Sequence, residues 1–330
     1  MNDKLILAAD VGGTKTLLQL YHIDDRGHRH ELAQQQLGSS DYNSLDELAR
    51  QFIDECGEGT PHSACFAVPG PVKQYPDRQS VHLTNLPWHL NTIQLSKNLG
   101  IRNVILLNDF QAIGYGLNEL ASDELMTLHQ ADEKPDGLRL LLGAGTGLGV
   151  CLLIPHSGEH ASHPSEGGHV AFAPRDEQQM ALLQFLLQEY PRVSYERLLS
   201  GPGLINIYRY LLQRDNIHRD ALLEEPDPAA AIGRLGLYSE HDTASEAITI
   251  FCRILGAFSG DLALATQPGG GIYIAGGIAP KLLPRLQDDT FVDAYSDKGR
   301  MRELVRSFPV KLITNLRSGL LGAAAYAARY

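Results

Sequence analysis

Twice in this chain an apolar strand runs into a cluster of glycines and comes straight back as another strand, with no helix between. In the first instance Leu5-Ile6-Leu7-Ala8-Ala9 ends in Asp10-Val11-Gly12-Gly13-Thr14, and residues 16–21 return as β-compatible sequence. In the second, residues 138–142 end in Gly143-Ala144-Gly145-Thr146-Gly147, and residues 148–154 return. A Rossmann or P-loop glycine loop opens onto a helix, so neither cluster fits those folds. One hairpin in each half is the nearest thing to an internal repeat and predicts a duplicated plan. The length agrees, since 330 residues at roughly 150 per domain give two domains, each able to bury a core.

The remaining pattern is alternating strand and helix. Ser44-Leu45-Asp46-Glu47 fits a capping box for a helix with Leu45, Leu48, Ala49, Phe52 and Ile53 on one face, ended by Gly57. Strands are expected over 62–68 and 80–84, and a short helix from 91 to 100. A strand over 104–107 then delivers Asn108-Asp109 to a helix over 110–120. Further helices are expected over 176–189, 194–199 and from Ser200, with 164–170 and 224–231 as loops. Thr243-Ala244-Ser245-Glu246 reads as a second capping box, opening the longest helix, which Pro268 stops. A buried strand over 271–275 carries Gly276-Gly277 at its end, and a strand follows over 310–313. The final helix, 318–329, is rich in small residues, suited to close packing, and expected to return to the first domain.

A formal charge of −11 argues against nucleic acid or an anionic membrane as a partner, since both call for a basic face. A phosphorylated ligand would be held locally by backbone amides, helix N-termini or a metal ion. Cys56, Cys65, Cys151 and Cys252 are scattered, without metal-ligand spacing, and read as reduced thiols of a cytoplasmic protein. The apolar stretch at the N-terminus is too short for a signal peptide, and no run approaches a membrane span.

Glycine lacks a Cβ and tolerates positive φ, so a turn such as Asp10 to Thr14 lets backbone amides approach phosphate oxygens, with the Thr14 hydroxyl as a further donor. Asp10 would repel phosphate unless Mg²⁺ lay between them. The same residues also suit an ordinary hairpin. Residues 143–149 carry four glycines, more than a bend needs, and backbone approach to a ligand explains them better; Thr146 is placed like Thr14. Gly276-Gly277 either joins strand to helix or lines a ligand. Ligands of open α/β sheets bind outside the carboxyl ends of strands, which suits Asn108-Asp109, yet Asp109 is equally suited to capping the next helix. Glu166-x-x-His169 has the spacing of a helical metal motif, but Gly167-Gly168 disfavours a helix there. Alone, Glu196 reads as a solvated residue in the first turn of a helix and His169 as a structural histidine.

Taken in order, Asp10-Val11-Gly12-Gly13-Thr14, Leu107-Asn108-Asp109-Phe110, residues 143–149, Glu166-Gly167-Gly168-His169 and Ser200-Gly201-Pro202-Gly203 resemble the bacterial glucokinases of the hexokinase class, over nearly the whole chain. The resemblance implies an α/β, two-domain ribonuclease H-like fold of the actin, hexokinase and heat-shock ATPase superfamily, each domain a mixed sheet flanked by helices. It implies a small domain of residues 1–109 with 315–330, a large domain of 110–314, and an active site in the interdomain cleft. ATP would lie against Ala9, Asp10, Val11, Gly12, Gly13, Thr14, Gly145 and Thr146, with Gly276 and Gly277 near the adenosine, and Mg²⁺ would be held by Asp10 through water. Asn108, Asp109, Glu166, His169 and Glu196 would bind glucose, whose hydroxyls both donate and accept, and Asp109 would take the 6-hydroxyl proton. A homodimer is implied as well. The sequence departs from the family at Lys15-Thr16-Leu17, where an asparagine and a nearby arginine often follow the first turn, and it lacks the zinc cluster of the related repressor and sugar kinase family. Two other readings share the fold: a kinase for another hexose or an amino sugar, and a nucleotide-dependent binding protein. The second has no evident need for the five polar residues.

Overall fold

The computed structural model describes residues 4–330 apart from Thr84. Contacts divide them into two compact units, one of residues 4–121 with Ala161–Pro164 and Arg317–Tyr330, the other of Ser122–His160 and Ser165–Leu316.

In the first unit β1 (Lys4–Val11) and β2 (Lys15–Ile23) form the antiparallel hairpin expected around the first glycine turn, in register from Lys4↔Ile23 to Val11↔Thr16. The strand β3 (Arg29–Gly38) continues it antiparallel on β2. On the other side of β1, β4 (Ser63–Val68) runs parallel. A small second sheet follows, of β5 (Lys73–Gln74), β6 (Gln79–His82) and β7 (His89–Asn91). The expected strand over 80–84 is β6, and its last residue, Thr84, lies outside the described residues. Finally β8 (Asn103–Asn108) adds parallel to β4, giving the order β3-β2-β1-β4-β8.

Both faces of β1 are covered, which is why its run is continuously apolar rather than alternating. Leu7 and Ala9 join a core with Leu48, Phe52 and Leu95 from the helices Leu45–Cys56 and Thr92–Leu99. Ile6 and Ala8 pack on the opposite side with Ala112, Leu320, Ala323 and Ala324, from the helices Asp109–Gly116 and Ser318–Ala327. The small residues of the last helix explain its fit: a Cβ on Gly322 would lie 1.7 Å from the Ala112 carbonyl oxygen, and one on Gly116 2.2 Å from that of Ser318. At the free edge of β8 the Gln79 side chain does the work of a strand. Its amide donates to the Leu106 carbonyl at 3.1 Å and its oxygen accepts from the Leu106 amide at 2.8 Å.

The second unit repeats the plan. Its sheet is built of β9 (Leu125–His129), β10 (Arg139–Ala144), β11 (Leu148–His156), β12 (Glu159–Ser165, of which Ala161–Pro164 group with the first unit), β13 (Ile272–Ala275) and β14 (Val310–Ile313), ordered β12-β11-β10-β13-β14-β9. As with β1 in the first unit, β10 pairs antiparallel with its hairpin partner β11 and parallel with β13 on its other side, which in turn pairs parallel with β14. The long helix Asp242–Thr266 forms the centre of the core. Gly256 and Gly260 let the helix Asp289–Ser296 approach it, since Cβ atoms there would come within 2.3 Å of the Phe291 carbonyl oxygen and 2.2 Å of that of Tyr295.

Some local expectations are corrected. The long helix is capped by His241, whose ring accepts from the Ala244 amide, rather than by Thr243. Glu246 reaches sideways to Arg214 and Gln178 instead of closing a capping box. Residues 228–231, read as loop, open the helix Pro228–Leu237, with Asp227 as cap and proline in the first turn, where its missing N–H costs nothing. Residues 164–170 hold the end of β12 and a 3₁₀ turn, Gly167–His169.

Candidate active site

The first unit carries two carboxyl groups of interest, one near the end of β1 and one just past the end of β8, with β4 between those strands. β8 ends at Asn108 and the chain turns into the helix Asp109–Gly116. Asn108 is the cap, because its side-chain oxygen accepts from the amides of Phe110 at 3.0 Å and Gln111 at 3.2 Å, while its amide donates to the Gly70 carbonyl at 3.2 Å. Asp109 is therefore the first helical residue, not the cap, and its Oδ1 accepts from the adjacent Phe110 amide at 2.9 Å. Burial pushes the Asp109 carboxyl up to about 6, helped by the negative charge of Asp10. Asn108→Ala should cost about 1 kcal/mol of stability, read from the shift in denaturant midpoint; an unchanged midpoint would remove Asn108 from the capping role.

Asp10, near the end of β1, is likewise raised to about 6 by burial. No side-chain hydrogen bond or ion pair holds it among the described residues, and a Cβ on Gly319 would sit 3.6 Å from its Oδ2. A buried carboxylate without a partner is costly unless a cation neutralises it, and Mg²⁺ commonly takes one carboxylate with water and phosphate oxygens. The donor set at Asp10 suits that ion. Beside Asp10, the turn is closed by the Gly12 amide on the Lys15 carbonyl at 2.9 Å and tied down by the Ser39 hydroxyl on the Gly12 carbonyl at 2.7 Å. Thr14 is exposed, as is Thr146 in the second turn.

The second unit brings Glu166, His169 and Glu196 together. The imidazole of His169 stands between two carboxylates, with Nε2 3.7 Å from Glu166 and Nδ1 3.7 Å from Glu196. Glu196 is further anchored at its Oε2 by the Leu148 amide at 3.1 Å, just past the second glycine turn. Glu166 and His169 are largely exposed and Glu196 only partly. Clustered acceptors flanking an imidazole are suited to a polyhydroxylated ligand, and no group of three ligating side chains with metal geometry occurs among the described residues.

The glycines separate into two kinds. A Cβ on Gly12 would meet the Lys15 carbonyl oxygen at 2.7 Å, on Gly13 the Asn85 Cβ at 2.9 Å, and on Gly143 the Ala275 carbonyl oxygen at 2.1 Å. Those positions need glycine for the protein's own packing, and Gly276 needs it for its φ of 87° as well. At Gly145 and Gly277 a Cβ would meet nothing within 4 Å, and φ is not in the left-handed region. Neither packing nor backbone conformation explains them, so the open space beside each is what a ligand can use. Sequence reasoning missed Tyr195, which neighbours Glu196 and ties it to the His169 segment; an aromatic residue beside a candidate polar ligand was the only signal.

A doubled sheet of this order, with a glycine turn in each copy and a carboxylate just past the end of β8, is that of the actin and hexokinase ATPase fold. A solved glucokinase from an Antarctic psychrotroph matches with a TM-score of 0.83 and 32% identity over 99% of each chain. A ROK family glucokinase from Streptomyces griseus, solved with glucose and AMPPNP, shares the fold at a TM-score of 0.65 and 17% identity, over 99% of this chain and 100% of that one. The glucokinase of Nostoc punctiforme is 40% identical, over 98% of this chain and 99% of its own. The family model described as Glucokinase matches residues 7–330. The chain belongs to the glucokinase family, and it is an enzyme of that class.

Proposed function

We propose that the chain transfers the γ-phosphoryl group of ATP to the 6-hydroxyl of D-glucose, with Asp109 as the base. As O6 attacks, its proton passes to the Asp109 carboxylate, the new O–P bond forms, and the bond from phosphorus to the departing ADP oxygen breaks. The observation that carries this reading is the Asp109 carboxyl, raised to about 6 and relieved of capping by Asn108. Asn108, Glu166, His169 and Glu196 pair with the sugar hydroxyls, so a sugar lacking one of them leaves a polar group unsatisfied. The turn Ala9, Asp10, Val11, Gly12, Gly13 and Thr14 and the turn at Gly145 and Thr146 hold the phosphates through backbone amides and hydroxyls. Gly276 and Gly277 line the adenosine. Mg²⁺, held through water by Asp10, would supply the positive charge that phosphoryl transfer requires.

A coupled assay measuring ADP release with a panel of hexoses and amino sugars tests the reading. Turnover should depend on sugar and be fastest with glucose; ATP hydrolysis indifferent to every sugar would sink it, and a faster competitor would reassign the substrate. The base must be ionised to accept the proton, so kcat/KM for glucose should fall about tenfold per unit below about pH 6 and level off above it. A profile flat from pH 7 down to 5 would count against Asp109.

On the same reading the enzyme is cytoplasmic and homodimeric. The helix Asp242–Thr266 is long and apolar enough to cross a membrane, but most of it is buried in the core of the second unit.

A further inference from the structure

Beneath Glu196 lies a charged network that phosphoryl transfer does not use directly. Lys298 follows the helix Asp289–Ser296 and turns inward, leaving its side chain only 5% exposed. Its ammonium donates to the Ala257 carbonyl at 2.8 Å and to Asp261 Oδ1 at 2.5 Å. The passage exists because residue 260 is glycine: a Cβ there would lie 2.5 Å from the Lys298 Cε. The other oxygen of Asp261 accepts from the Tyr195 hydroxyl at 3.2 Å.

Tyr195 joins the pieces of the sugar-binding cluster. It precedes Glu196 in the 3₁₀ turn Tyr195–Arg197, and its own amide donates to the Val170 carbonyl at 3.1 Å, one residue beyond His169. The ring is 4% exposed, stacked on Phe258 with centroids 4.2 Å apart and met edge-on by Phe172 at 5.5 Å. One residue thus links the turn bearing Glu196 and, through its backbone amide, the segment bearing His169 to the core helix Asp242–Thr266, which its side chain meets at Phe258 and Asp261. A buried ammonium is costly unless paired, and a simple packing contact would not need one. The ammonium holds one Asp261 oxygen while the other faces the Tyr195 hydroxyl, which sets where both sugar-binding segments stand.

We propose that Lys298, Asp261 and Tyr195 are positioning residues for sugar recognition, fixing Glu196 and His169 in the arrangement that discriminates glucose from its epimers. The inference rests on the assignment of Glu196 to the sugar. Misplacement of an otherwise intact binding group lowers affinity and selectivity for the ligand it touches while sparing a ligand bound elsewhere.

The test compares Tyr195→Phe, Lys298→Met and Glu196→Gln in the full-length enzyme, measuring KM for glucose, KM for ATP, kcat/KM for glucose against mannose and galactose, and the thermal midpoint. Tyr195→Phe keeps the ring and its stacking while removing only the hydroxyl. It should raise the glucose KM by about 5- to 20-fold and shrink the preference over epimers, with the ATP KM within about two-fold. Lys298→Met should do the same, and adding Asp261→Asn to it, so that no charge is left unpaired, should restore part of the loss. If Glu196→Gln raises the glucose KM but Tyr195→Phe leaves KM and selectivity within about two-fold of wild type, the positioning role is overturned and the sugar assignment survives. If Glu196→Gln has no effect on glucose, that assignment falls and the inference with it. Equal losses for glucose and ATP alongside a lowered thermal midpoint would show general damage and likewise overturn it.

Discussion

Asp109→Asn lowers kcat for glucose phosphorylation by at least about 10²-fold, while the protein remains folded and still binds both substrates. The structure separates the two duties that a residue at the end of β8 has to meet. Capping of the helix Asp109–Gly116 rests on Asn108, so the helix keeps its cap in the variant. The amide of an asparagine at 109 is nearly the size of the carboxyl it replaces and cannot take a proton from a hydroxyl. Stability should not fall either. A carboxyl raised to about 6 by burial favours the native state fully below its unfolded value, near 4, and loses that contribution as pH rises through about 6. At neutral pH the ionised group costs the ligand-free fold about 1–3 kcal/mol, which the neutral amide avoids. Kinetics should therefore worsen while the denaturation midpoint holds or rises. A kcat within about tenfold of wild type would return Asp109 to a structural role.

Gly145→Ala raises the KM for ATP by about tenfold or more and leaves thermal stability unchanged. The new methyl meets no protein atom within 4 Å, so packing does not oppose it and the fold gives it room. What it fills is the space beside a turn whose backbone is proposed to touch phosphate. Gly143→Ala is the control of opposite character, because its methyl would lie 2.1 Å from the Ala275 carbonyl oxygen on the neighbouring strand. That variant should lose several kcal/mol, on the order of other severe core clashes, whatever its effect on ATP. Measuring both midpoints alongside ATP kinetics separates a glycine kept for the ligand from one kept for the sheet. An unchanged ATP KM in Gly145→Ala would remove the second turn from the phosphate site.

The architecture was legible because its strongest signal is local. Apolar strands meeting glycine clusters and returning gave both hairpins, and the duplication followed from their number. Ser44 and Gly57 bounded a helix correctly because cap and αL stop both depend on the residue itself. What was not legible depends on partners far along the chain. Glu246 looks like a capping-box residue until Arg214 is seen beside it, and β9 gives little sign of itself before Val310–Ile313 supplies a partner. The candidate site divides the same way. The family resemblance pointed to Asn108, Asp109, Glu166, His169 and Glu196, but sequence left Asp109 between cap and catalyst and gave no sign that Asn108 is the cap. Nor could it separate Gly145 from Gly143, since the reason each is glycine lies in what surrounds it.

The free edge of β8 has a further consequence. An unpaired outer strand is a template for another chain, and apolar Val104-Ile105-Leu106-Leu107 would be an inviting one. By occupying the Leu106 N–H and carbonyl together, the Gln79 amide takes up the hydrogen-bonding pair on which an incoming strand would start. A single side chain thus closes that pair on the strand that leads into Asp109, without lengthening the sheet.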